Sequence, residues 1–162
     1  MTSAGTTQRV GTDGRGRGFY SIRVPSLSLV AWPATLALLS RYFVCLVIAD
    51  GTTETTEELG QWAELVIGQG LVYMCAWGPG CEVVEDIVDW AFVALPDHPD
   101  RPIVMTTSHH SESVEAAVDF FVGAAKPADG YLSECSSWLL VEVGAAGARS
   151  GAQDLLVQKV SS

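Results

Sequence analysis

Residues 71–94, LVYMCAWGPGCEVVEDIVDWAFVA, decide the fold. The first seven form a continuous apolar run rich in aromatic and branched side chains, as in a strand buried on both faces. Gly78-Pro79-Gly80 breaks that run. From Cys81 the period changes: Val83, Val84, Ile87, Val88 and Ala91 make an apolar stripe opposite Glu82, Glu85, Asp86 and Asp89, the pattern of an amphipathic helix.

The strand-then-helix unit repeats on either side. Upstream, residues 42–49 (YFVCLVIA) predict a buried strand, and Thr55-Thr56-Glu57-Glu58 is a capping box opening a helix that carries Leu59, Trp62, Leu65 and Val66. Downstream, residues 103–107 predict a short third strand. A third helix starts from a Ser111 or Ser113 cap and ends at Lys126-Pro127, and residues 138–143 (WLLVEV) predict a fourth strand after a loop over 128–137. This order calls for parallel pairing through right-handed crossovers. The expected fold class is α/β, a small three-layer sandwich around a mostly parallel four-stranded sheet, Rossmann- or flavodoxin-like, over residues 41–144.

The flanks read differently. Residues 1–26, above all 1–18, are rich in Gly, Ser, Thr and Arg, bury little, and are expected to form a disordered basic tail. The GRGRG at 14–18 has too few arginines to act as an RNA-binding segment. Residues 27–40 are an apolar lead-in with the outline of an export signal or anchor. Pro33 and Ser40-Arg41 interrupt it short of the roughly 20 residues a spanning helix needs, so a loosely docked helical segment is expected and a membrane is not. Residues 145–162 predict a flexible tail or a short helix.

With 162 residues, 48% of them hydrophobic, the chain is long enough to bury a core without disulfides or a metal. Its charge is uneven. Residues 1–40 carry four arginines against one aspartate, whereas residues 41–144 carry three basic residues against seventeen acids. Such a surface disfavours nucleic acid and nucleotide phosphates, and favours basic partners or cations. Four cysteines, two of them in apolar runs, fit a reducing, cytoplasmic setting better than a stapled secreted scaffold.

Parallel sheets place ligands beyond the carboxyl ends of their strands. That rule selects Asp50-Gly51-Thr52, Gly78-Pro79-Gly80-Cys81, Thr106-Thr107-Ser108-His109-His110 and Gly144-Ala145-Ala146. Cys81 at a helix start is a candidate thiolate, with His109 or His110 as its base and Asp50 or Glu112 orienting the ring, the arrangement of covalent catalysis. Cys81 and His109 are thus the candidate catalytic residues, and Asp50, Thr107, His110 and Glu112 the candidate ligand-binding ones. A zinc site from Cys81, His109, His110 and Asp50 or Glu85 would use acceptable ligands, but no metal-binding spacing is present, so no metal is assigned and no cofactor is named. The turn Trp77-Gly78-Pro79-Gly80-Cys81 is similar to a thioredoxin active-site turn but has Gly78 in place of the attacking cysteine. Gly144, Gly147 and Gly151 do not make a dinucleotide-binding loop. An acidic module that binds a basic protein, or a small-molecule site on the rim, are the two open functions.

The octapeptide CAWGPGCE at 75–82, VMTT at 104–107 with a histidine two residues on, and ESVE at 112–115 ahead of Phe120-Phe121 together resemble a family of small bacterial proteins built on a domain of unknown function. The resemblance spans about residues 41–144 and implies a compact stand-alone domain, with no activity to transfer.

Overall fold

The computed structural model describes residues 5–50, 53–96 and 103–161. Gly51 and Thr52 of the first rim segment, and residues 97–100 of the loop after the second helix, lie outside the described residues. The elements follow in the order β1 (Gln8–Thr12), β2 (Gly18–Val24), β3 (Tyr42–Ile48), α1 (Thr56–Gly68), β4 (Leu71–Trp77), α2 (Cys81–Ala94), β5 (Met105–Ser108), α3 (Val114–Gly123), a 3-10 turn (Asp129–Glu134), β6 (Cys135–Val143), α4 (Gly144–Arg149) and α5 (Ala152–Val160).

Local chemistry explains the central elements. Thr55 accepts from the Glu58 amide while the Glu58 carboxylate accepts from the Thr55 amide, so the capping box opens α1 as expected. Ser113, rather than Ser111, caps α3 by accepting from the Ala116 amide. β4 and α2 have the bounds that the opening stretch predicts.

Among the described residues the sheet has six strands, not four, in the order β1-β2-β6-β3-β4-β5, with β1 antiparallel to β2 and the other pairs parallel. The two additional strands come from the expected tail. β2 buries Phe19, Tyr20, Ile22 and Val24 and pairs with β6 along its whole length, from Gly18 opposite Ser137 to Val24 opposite Val143. β1 needs few apolar residues because, as an edge strand, it is held mainly by backbone hydrogen bonds to β2. Asp13 and Arg17 organise the turn between them. Asp13 accepts from the Arg15 and Arg17 amides and from the Arg17 guanidinium, which also donates to the Val122 carbonyl at 2.8 Å and lies over the Phe19 and Trp138 rings. Although partial burial works against it, these bonds and the Arg17 charge hold the Asp13 carboxyl below its usual value.

Helices cover both faces of the sheet. On the first face, α1, α2 and the β2–β3 crossover enclose one buried cluster, which includes Trp62, Met74, Cys81 and Val88. On the second, α3 and α5 enclose another, which includes Phe19, Cys75, Phe121 and Leu156. The lead-in over residues 27–40 is not a helix. Pro33 at its centre disfavours one, and the segment instead buries Leu27, Trp32 and Leu36 on the first face. Trp32 meets Trp62 edge-on at 5.6 Å and donates its indole N–H to Gln69, whose amide in turn donates to the Pro33 and Ala34 carbonyls. The C-terminal residues form α4 and α5, with Ala152 and Leu156 buried against the second face and Lys159 paired to Asp119 of α3. Among the described residues no helix is long and apolar enough to cross a membrane.

Candidate functional site

The turn leaving β4 shapes the rim. Gly78 has φ +120° and Gly80 φ +69°, both disfavoured for other residues, and a Cβ on Gly78 would lie 2.2 Å from the Ala49 carbonyl oxygen. Glycine at 78 therefore lets β4 close against the end of β3. Beyond the turn opens a cleft of about 460 Å³, lined by Trp77, Gly78, Pro79, Gly80, Glu82, His110 and Glu112. Glu82 and His110, both half-exposed, approach to 3.4 Å, and the Trp77 indole N–H donates to the Glu112 carbonyl at 2.8 Å. Two carboxylates and an indole thus converge on one opening.

Behind the cleft runs a polar chain. His109 is only 4% exposed, and its Nδ1 lies 2.9 Å from a Glu112 carboxylate oxygen and its Nε2 3.0 Å from the Thr107 hydroxyl. A carboxylate can only accept, so Nδ1 carries the proton; in the neutral ring Nε2 accepts from Thr107. The Tyr73 hydroxyl and the Cys75 thiol lie beside the Thr107 hydroxyl, on the second face. The His109 ring rests on Phe120 of α3, with ring centroids 4.7 Å apart. This chain resembles a nucleophile–base–orienter series, but its hydroxyl is tied to groups of the buried second face. It acts as a brace that holds Glu112 at the cleft.

Cys81 does not join this chain. Its thiol lies in the cluster of the first face, 1% exposed, while the His109 ring lies on the second. The His109 amide donates to the Ala76 carbonyl at 2.9 Å and lies near the Cys81 thiol. Burial pushes the Cys81 thiol up, Glu82 and Glu85 add to the rise, and the backbone bonds only partly oppose it. Burial thus opposes the expected thiolate, outweighing what the helix start offers. The other thiols are buried too: burial raises Cys75 to about 12 and Cys135 to about 11, and Cys45 well above its ordinary value.

The remaining candidates divide between two places. Thr107, His109, His110 and Glu112 belong to the β4–β5 end of the rim, whereas Asp50 lines a separate crevice between β3 and β6. Cys81, His109, His110 and Asp50 consequently do not converge as metal ligands. Among the described residues the carboxylates close enough to share an ion are Glu85, Asp86 and Asp89, side by side on α2. Three contributors were missed in the sequence: Trp77, Glu82 and Glu54. The first two end a strand and start a helix beside the selected glycines, a signal that was present; Glu54 gave none, because its partner Leu27 is 27 residues away.

A family model described as a domain of unknown function, DUF7684, matches residues 23–159. It thus takes in the end of β2, the crossover, both rim openings and nearly all of α5. No curated protein and no solved structure matches the chain.

Proposed function

The chain belongs to the DUF7684 family, and we propose from its own rim that it is a binding domain that captures a basic side chain of a partner protein in the β4–β5 cleft. One observation carries this reading: the carboxylates of Glu82 and Glu112 and the indole of Trp77 line the same opening. Carboxylates pair with ammonium or guanidinium groups, and an indole stacks on either. The adjoining surface of α2 fits an amphipathic basic partner, since Val83, Trp90 and Val93 are exposed there at helical spacing around Asp86. The brace from His109 through Thr107 supports the same reading by fixing Glu112 before the partner arrives. We read the architecture as a three-layer, Rossmann-like sandwich working in a cytoplasmic setting where its four thiols stay reduced.

The test is an amide and indole N–H chemical-shift titration with an acetylated, amidated Leu-Arg-Leu peptide and its glutamate counterpart. The arginine peptide should give saturable shifts at the Trp77 indole, Gly78 and Gly80, and the double substitution Glu82→Gln with Glu112→Gln should abolish them. Equal shifts from both peptides, or none from either, would refute the proposal.

A further inference from the structure

At the other end of the rim, β3 and β6 lie side by side but send the chain to opposite faces, β3 into α1 and β6 through α4 into α5. Divergence of this kind opens a crevice beyond the strand ends. Here it measures about 300 Å³. On its wall stands Glu54, nine-tenths buried at 9% exposure. One carboxylate oxygen of Glu54 accepts from the Leu27 amide at 3.0 Å; the other, Oε2, is buried and has no hydrogen-bond partner. A buried carboxylate oxygen left without a partner is costly, and a positive charge brought beside it relieves that cost.

We propose that this crevice binds a primary alkylammonium group, with the nitrogen at the Glu54 and Asp50 carboxylates and the carbon chain along Pro25, Val143, Ala145 and Ala146. The lining selects this class over a metal. A divalent cation of the calcium or magnesium kind takes six or more oxygens, whereas four of the named lining residues present apolar surface beside only two carboxylates. An ammonium has three donors and carries an apolar stem, which matches both halves of the wall. The site is separate from the β4–β5 cleft, so it stands or falls independently of the function proposed above.

The experiment titrates the full chain with n-butylammonium chloride and follows the amides of Gly144, Ala145 and Ala146. Parallel titrations use n-butanol and magnesium chloride. Saturable shifts at those amides are expected with butylammonium, independent of any at the Trp77 indole. Glu54→Gln keeps an oxygen for the Leu27 amide and removes the charge, so it should weaken binding by about tenfold or more, while Glu112→Gln should leave it unchanged. Ala146→Trp, on exposed α4 and clear of the Leu27 bond, should block the crevice even if Glu54→Gln fails to fold. Butylammonium without saturable shifts, butanol binding as tightly, magnesium giving the shifts in place of the amine, or undiminished binding in both Glu54→Gln and Ala146→Trp would overturn the proposal.

Discussion

The two openings on one rim use carboxylates in opposite ways. At the β4–β5 cleft Glu82 and Glu112 are half-exposed, and Glu112 is braced from behind by a histidine. At the β3–β6 crevice Glu54 is buried and latches the crossover through the Leu27 amide. The contrast teaches that position, not residue type, decides what an acid does: in water it contributes little to stability and is available to a partner, whereas inside it holds the backbone and its second oxygen weighs heavily.

The largest effect should come from removing one opening and leaving the other. Gly78→Ala forces a side chain into the Ala49 carbonyl at an unfavourable φ, and should cost about 3 kcal/mol by chemical denaturation. The amide shifts it causes should centre on the β4–β5 cleft; equal disturbance at Ala145 and Ala146 would mean the two openings are one mechanical unit. Next, Glu54→Ala strands the buried Leu27 amide and should cost about 2 kcal/mol, while Glu82→Ala, whose partner His110 is itself half-exposed, should cost less than about 1 kcal/mol. A reversed order would break the comparison. His109→Leu keeps an apolar ring-side contact on Phe120 but removes the brace, for about 1–2 kcal/mol. It should also weaken the arginine peptide without touching a residue that meets it, a readout that a purely packing role would not move.

A modest effect lies far from both openings, at Asp13. Its carboxyl is held below its usual value in the folded chain, so its contribution is present at neutral pH, above the unfolded-state value, and is lost as pH falls through the lowered folded value. Asp13→Asn should therefore cost about 1 kcal/mol at pH 7, and its stability curve should converge with that of the parent chain as the pH drops below 3.8. Denaturation midpoints across pH check it, and a gap that persists in acid would show that the corner is held by shape rather than charge.

What the sequence made legible was whatever close neighbours determine. The Thr55–Glu58 capping box, the β4–turn–α2 unit and the His109–Glu112 pair each depend on residues within a few positions of one another. β2 was hidden because what holds it is distant: Arg17 bonds the carbonyl of Val122, 105 positions away, and Tyr20 pairs with Leu139. Composition counted Arg17 as a solvated charge, but its guanidinium lies on two buried rings. The site suffered the same split. The rim rule pointed to the edge of the sheet where both crevices lie and named His110 and Glu112, yet it grouped Asp50 and Cys81 with them because neighbouring strand ends can open to different crevices, or face opposite sides of the sheet.

The strand order also governs how the chain is made. β6 (Cys135–Val143), synthesised after the other described strands of the sheet, inserts between β2 and β3. Until it emerges, the two earlier strands lack the neighbour that joins them, and each waits with an unpaired edge. Such edges recruit other chains, and contacts this far apart in sequence form slowly. A nascent or truncated chain that stops short of Cys135 has two sticky half-sheets rather than one fold, so the last strand acts as the keystone of synthesis and translation pauses before it are the moments of greatest risk of aggregation.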